Sequence, residues 1–279
     1  MIQSFLSKKK RRLLQEVPVI PTRVEISQVR LDLLDACLQK SGAESLIEIY
    51  LTAEEQERFQ AFGYKKRRNE WLGGRIAAKH AVMRLLDSPG PEKEDLNWRD
   101  WSIAPDDAGR PYMHSESRNS CLPEISISHS GDLAIAMATK DSQCGIDVQK
   151  IVPTVGKVRD RFYISKERAL LEKNPSLSGM DQDRRLSLLW SAKEAFRKAF
   201  SATPFPGFME MRLENISGNR DTGWVFDCIF EREDVRLNFS AICMLSGEYS
   251  LALTCVGGRG SGVRVSAFCL KVHIPFPDG

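Results

Sequence analysis

The segment Leu188-Leu-Trp-Ser-Ala-Lys-Glu-Ala-Phe-Arg-Lys-Ala-Phe200 constrains the fold more than any other stretch. At about 100° per residue, Leu186, Leu189, Trp190, Phe196 and Phe200 fall on one broad face, so the spacing predicts an amphipathic helix lying on a core. Ser187, Ser191, Glu194 and Lys198 line one flank, and Glu194 and Lys198, four apart, emerge side by side. Lys193 points into the apolar stripe, where a cation must snorkel, pair or serve a ligand. On its own, this pattern suits an ordinary surface helix with an i,i+4 ion pair as well as it suits a site.

A second segment changes that balance. Leu133-Ala-Ile-Ala-Met-Ala138 and Cys144-Gly-Ile-Asp-Val148, separated by the polar turn 140–143, read as the two strands of a hairpin. Asp147 then stands inside an apolar strand, which is costly unless the carboxylate is paired or binds a metal. Asp147 and Glu194, on separate elements, would give a Mg²⁺ ion two hard oxygen ligands and leave the rest of its sphere to water and substrate phosphates.

Composition narrows the classes. A chain of 279 residues with 42% hydrophobic and 28% charged content suits one large or two small globular domains. Forty basic against 37 acidic residues leave +3, which supplies no nucleic-acid footprint. The seven cysteines form no CxxC pair and no zinc spacing with histidine, so reduced thiols in a cytoplasmic protein are expected. No run suits a membrane span, and the basic Lys8–Arg12 cluster is not followed by the apolar stretch of a signal peptide. The N-x-S sequons at Asn215 and Asn238 are then chance matches.

In chain order, residues 1–20 read as a basic tail, and Ile20 to Leu38 as a strand leading into a helix. Ile47-Glu-Ile-Tyr-Leu51 reads as a strand. Thr52 is the predicted N-cap of a helix from Ala53 to about Phe62, and a second helix runs from about Lys65 to Leu86. Asp106–Pro111 is a turn and Ile125–Gly131 a strand running into one. Ser165 is the predicted N-cap of another helix, and residues 174–185 read as a loop. Trp224–Phe230 and Tyr249–Val256 are strands, 257–262 is a flexible turn, and Val263–Ile274 is a further strand.

Gly145-Ile-Asp147, some forty residues, and then Trp190-Ser-Ala-Lys-Glu-Ala-Phe-Arg-Lys198 resemble the signature of the 4′-phosphopantetheinyl transferase superfamily, in its larger, two-half form. The resemblance extends to Glu55–Arg58, Gly74–Lys79, the Gly109-Arg-Pro111 turn, Ser126-Ile-Ser-His-Ser-Gly131 and the Ser165-x-x-Glu pattern. It implies an α+β fold of two similar halves related by a pseudo-twofold, with the cofactor cleft between them. The divisions expected are an N-terminal extension over 1–45, halves over 46–149 and 150–257, and a tail over 258–279.

The implied activity is Mg²⁺-dependent transfer of the phosphopantetheine arm of coenzyme A to a serine of an apo carrier protein by a monomer, with neither nucleic acid nor membrane as partner. The implied metal ligands are Asp147 and Glu194. Gln149 stands where many members carry a third carboxylate, and could ligate through its amide oxygen or hold a metal-bound water. Glu194, Lys198 and Asp147 are the implied catalytic residues, and Arg58, Arg110, Ser128, His129, Lys193 and Lys198 the cofactor-binding ones. Lys193 is expected to support the site from the apolar side, and the Lys65–Arg68 run to be a solvated face or docking surface outside the chemistry. The competing reading keeps the fold without catalysis, as a coenzyme A-binding or carrier-docking protein.

Overall fold

The computed structural model describes residues 23–40, 43–86, 97–115, 122–140, 142–200, 204–233 and 235–257. The basic tail, the Val263–Ile274 run and all but the first residue of the 257–262 turn lie outside them.

The first half begins with β1 (Val24–Arg30) and four helices: α1 (Leu31–Gln39), α2 (Ala43–Tyr50), α3 (Ala53–Gln60) and α4 (Lys65–Leu86). A two-stranded ribbon, β2 (Ser102–Pro105) and β3 (Pro111–His114), frames the Asp106 turn. The hairpin β4 (Glu124–Ser130) and β5 (Leu133–Thr139) follows. β5 lies between β1 and β4 in an antiparallel sheet. The small residues of that sheet admit α4 closely: Ala134, Ala136 and Ala138 pack with Leu72, Ile76 and Val82 of the helix in one buried cluster.

The second half repeats this order. β6 (Ser142–Lys150) leads into α5 (Thr154–Lys157), α6 (Ser165–Lys173) and α7 (Gln182–Ala199). An antiparallel meander follows: β7 (Met211–Asn219), β8 (Gly223–Arg232), β9 (Val235–Ser246) and β10 (Tyr249–Gly257). Its last strand again docks beside the half's first, giving the order β6-β10-β9-β8-β7. α7 covers one face, with Leu189, Ala192 and Phe196 against Phe226, Phe239 and Ala252. The fold is therefore α+β in two halves of like connectivity.

The likeness reaches single hydrogen bonds. Glu55, in the first turn of α3, accepts from Thr52 N at 3.1 Å, from Ile103 N of β2 at 2.9 Å, and from Lys79 Nζ of α4 at 2.6 Å. Glu167, in the first turn of α6, accepts from Ile164 N at 2.9 Å, from Leu213 N of β7 at 2.9 Å, and from Lys193 Nζ of α7 at 2.7 Å. Each ammonium also donates to the carbonyl five residues before its glutamate, Tyr50 O at 2.6 Å and Phe162 O at 2.7 Å. Both lysines are wholly inaccessible. Burial lowers their proton affinity and the paired glutamate opposes it. A charge this deep is tolerated only when paired and hydrogen-bonded, so each latch fixes the helix in which its lysine sits.

The halves meet along β4 and β6, the free edges of their sheets. Ser126, Ser128 and Ser130 alternate onto one face of β4. Their hydroxyl oxygens accept from Ile146 N, Val148 N and Lys150 N at 3.0, 3.2 and 2.9 Å. Side chains thus satisfy the β6 edge amides, and the two strands run parallel. Behind them, Ile26, Ile135 and Met137 of the first sheet pack on Ile146, Ile242 and Leu253 of the second.

Five expectations are corrected. Ile47–Leu51 is not a strand: residues 47–50 belong to helix α2, and Leu46, Ile47 and Tyr50 pack onto the first core at helical spacing. Cys144–Val148 does not pair with Leu133–Ala138, because β6 joins β10 in the other sheet and β5 has partners on both sides. Val24–Gln39 is no extension, since β1 is a strand of the first sheet. The N-cap of α6 is Ile164 rather than Ser165, and Gln182–Arg185 open α7 behind an Asp181 cap rather than form a loop. Among the described residues no helix is long and apolar enough to cross a membrane.

Candidate active site

Gly145 sets the site. A Cβ there would lie 1.8 Å from Ala195 O and 2.7 Å from Ala199 N, so only glycine lets α7 rest directly on β6. Asp147, two residues on and on the same face of the strand, consequently faces the Glu194–Lys198 turn of the helix.

Asp147 is 6% exposed. Its Oδ1 accepts from Ser128 Oγ at 3.0 Å and from Lys198 Nζ at 2.8 Å, and Lys198 also donates to Ile146 O at 3.0 Å. Asp147 Oδ2 is buried without a hydrogen-bond partner. Glu194 is held by Arg197, whose guanidinium donates to Oε1 at 2.9 Å. Burial raises the proton affinity of Glu194, with the Asp147 charge adding to the rise while Arg197 and Lys198 oppose it. Two carboxylates under mutual repulsion, one with an orphaned buried oxygen, fit a hard divalent cation, because an unpartnered buried acceptor is otherwise expensive. Gln149 donates its amide N–H to Lys150 O at 2.9 Å. Among the described residues no group of three histidine, cysteine or acidic side chains gathers as a metal site.

A cationic rim adjoins this pair. His129 Nδ1 lies 3.7 Å from Glu70 Oε1 of α4. Burial lowers its proton affinity and Glu70 opposes that, while Arg67, Lys198 and Lys66 push it down further. The Lys65–Arg68 run is largely solvated, as expected: Lys65, Lys66 and Arg67 are exposed, Lys65 pairs with Asp35 at 2.9 Å, and Lys66 and Arg67 act on His129 through charge alone. Arg110 pairs with Glu124 at 2.8 Å at the far end of β4. That end is five residues from His129, or about 16 Å along the strand. Arg58 is exposed on α3 near Arg75, and no contact joins it to Asp147, Glu194 or His129.

Two expected cofactor ligands are otherwise engaged. Lys193 lies inside the second half, where its ammonium holds Glu167 and the carbonyls of Phe162 and Phe208. Ser128 commits its hydroxyl proton to Asp147 and accepts from Val148 N. Arg197, against Glu194, and Glu70, against His129, are neighbours of the candidate residues that sequence reading did not single out. Arg197 is visible as a cation three residues after Glu194, whereas the approach of α4 to His129 leaves no trace in local pattern.

The sequence model of the 4′-phosphopantetheinyl transferase superfamily matches residues 143–254, from β6 through β10. Over 113 residues the chain is 35% identical to the holo-[acyl-carrier-protein] synthase of Geobacillus sp., covering 40% of this chain and 90% of that protein. Over 196 residues it is 29% identical to the L-aminoadipate-semialdehyde dehydrogenase-phosphopantetheinyl transferases of Pongo abelii and Homo sapiens, covering 67% of this chain and 60% of theirs. The chain thus spans less than two thirds of the length of these longer relatives. A solved holo-(acyl-carrier-protein) synthase of Bacillus anthracis, in complex with CoA (3′,5′-ADP), aligns with 43% of this chain and 96% of its own at 23% identity and a TM-score of 0.36. With nine tenths of a 35%-identical relative matched, and the family's own pattern laid over the strand of Asp147 and the helix of Glu194, this chain belongs to the 4′-phosphopantetheinyl transferase superfamily.

Proposed function

We propose that the protein transfers the phosphopantetheine arm of coenzyme A to a serine of an apo carrier protein, with release of adenosine 3′,5′-bisphosphate. The observation that carries this reading is the Asp147–Glu194 carboxylate pair with Lys198 against it. In the transfer, the serine oxygen bonds to the β-phosphorus of coenzyme A. The bond from that phosphorus to the departing adenosine 3′,5′-bisphosphate breaks, and the serine proton needs an acceptor.

Glu194 suits that acceptor, since a carboxylate with raised proton affinity is a better base near neutral pH. Lys198 spends two of its three N–H groups on Asp147 and Ile146, leaving one for a phosphate oxygen. Its charge offsets the negative charge that develops on the leaving group. Ser128 keeps Asp147 in place. His129, Lys66 and Arg67 form a rim suited to phosphates. Arg110, some distance along β4, and Arg58 on α3 are assigned to more remote parts of an extended cofactor. Asp147 Oδ2 and Glu194 would hold Mg²⁺, with the Gln149 amide oxygen as a further donor; the ion supplies charge neutralisation on the pyrophosphate.

The partner we assign is an apo carrier domain, and cytoplasmic location and a monomeric state belong to the same reading. The test is intact-mass spectrometry of an apo carrier protein incubated with this protein, coenzyme A and Mg²⁺. A gain of one phosphopantetheine arm, lost with EDTA, is the expected result. Coenzyme A binding with no gain on any carrier type would leave the non-catalytic reading in its place.

A further inference from the structure

We propose that Arg197 is a positioning residue that holds Glu194 and competes with the divalent cation for its carboxylate. The proposal rests on the metal reading above and adds a residue outside the Asp147–Glu194–Lys198 set.

The geometry is specific. The guanidinium donates to Glu194 Oε1 at 2.9 Å and lies 4.7 Å from the centre of the Phe208 ring. Phe208 belongs to the turn whose carbonyl, at 3.3 Å, also receives Lys193 Nζ. The turn after α7 is therefore gripped twice by that helix, from inside by Lys193 and from outside by Arg197. Trp190 packs on the same ring, with centroids 4.7 Å apart. Arg197 Nε is buried without a partner. The carboxylate of Glu194 and the face of Phe208 are thus the anchors of this charge.

A cation and a guanidinium cannot both be neutralised by one carboxylate at no cost. Where Glu194 turns fully to the metal, Arg197 gives up its hydrogen bond beside an Nε that is already unpartnered. Where Arg197 keeps the carboxylate, the metal meets a nearby positive charge with one fewer negative ligand charge to offset it. Either way Arg197 opposes loading of the ion, and it also keeps Glu194 aimed at the site while the ion is away. Removing the guanidinium should therefore separate two properties that a merely structural residue would move together. Metal affinity should rise, and turnover at saturating metal should fall.

The experiment uses Mn²⁺ as the probe, with free Mn²⁺ counted by its electron paramagnetic resonance signal, in the presence of coenzyme A. Wild type, Arg197→Met, Arg197→Gln, Arg197→Lys and Asp147→Asn are compared at one pH, with thermal melts run alongside. Arg197→Met and Arg197→Gln are expected to bind Mn²⁺ about two- to fivefold more tightly than wild type, the range of a partly exposed ion pair. Arg197→Lys should stay within about twofold of wild type because the charge remains. Transfer at saturating Mn²⁺ should be slower in the Met and Gln variants. Unchanged or weaker Mn²⁺ binding in both, with wild type binding and Asp147→Asn not, would overturn the role of Arg197 and leave the metal site standing. Failure of wild type itself to bind Mn²⁺ would overturn the metal reading, and this proposal with it.

Discussion

The two buried latches are built alike and used differently. In each half a helix-capping glutamate holds one lysine of the long helix, one strand amide and its own N-terminal amide. The next residue differs. After Lys79 comes His80, which bonds the Tyr50 hydroxyl at 2.9 Å and packs on Trp98 with centroids 4.4 Å apart. After Lys193 comes Glu194, which faces Asp147 and Lys198. The same device thus fixes the helix in both halves, and the adjoining position carries packing in the first and, on the proposed reading, chemistry in the second. The contact between sheet and helix differs too. In the first half the glycines are on the helix, Gly73 against Ala134 of β5 and Leu31 of α1, and Gly74 against Ile127 of β4. In the second the glycine is on the strand, Gly145 against the backbone of α7. A side chain can shift and a helix backbone cannot, so the second contact is the stricter one.

The largest effects should come from breaking the latches singly. Lys193→Met strands the buried Glu167 and is expected to cost about 3–5 kcal/mol in chemical denaturation, whereas Lys79→Met leaves Glu55 with Arg75 Nε at 3.7 Å and should cost less. Replacing both members, as in Lys193→Met with Glu167→Leu, should restore much of that loss, because an apolar pair of similar volume removes the uncompensated charge. A double variant no more stable than the single one would mean that the latch is not the unit described.

Gly145→Ala comes next. Its Cβ has no room, so α7 must move, with an expected loss of about 1–3 kcal/mol and a larger loss of transfer than the stability change explains. Gly74→Ala meets only the Cγ2 of Ile127 at 2.8 Å and should cost less in both measures.

Glu194→Gln sharpens the comparison through pH. The folded state raises the proton affinity of this carboxyl, so the folded protein binds more protons than the unfolded one between the two pKa values. Stability therefore falls as pH rises through the folded value. The neutral glutamine lacks that penalty, so its melting temperature should exceed wild type at pH 8. The gap should close as pH falls through the raised folded-state value of Glu194. The smallest effects belong to the outlying arginines. Arg110→Ala and Arg58→Ala should raise the KM for coenzyme A severalfold and leave kcat nearly unchanged, since neither side chain touches the Asp147 group.

The residues of the site are legible in the sequence where chemistry and spacing coincide in one element. Asp147 in an apolar strand and Glu194 with Lys198 on one helix flank stand out from residue type and spacing alone. What decides the rest is contact across long separations. β6 pairs with β10 about a hundred residues later, and the adjacent β5 offers a false partner. Ile47-Glu-Ile-Tyr-Leu51 alternates like a strand, but tertiary packing makes it helical. β9 alternates through Leu237, Phe239, Ala241 and Cys243, yet its polar neighbours mask it. Lys193 is anomalous in the apolar stripe, but its partner Glu167 sits on another helix and cannot be paired with it from sequence. The serine ladder that engages Ser128 between the sheets leaves no local mark in the sequence.

The most direct measurement is single-turnover transfer, followed by intact mass, for Glu194→Gln and His80→Gln side by side with wild type. These are the residues next to the latch lysines in the two halves. The account predicts a loss of about a thousandfold for Glu194→Gln, the scale of a lost general base. His80→Gln should stay within severalfold of wild type, and both should melt cooperatively. A Glu194→Gln protein that transfers at the wild-type rate would contradict the assignment of the chemistry to the second half.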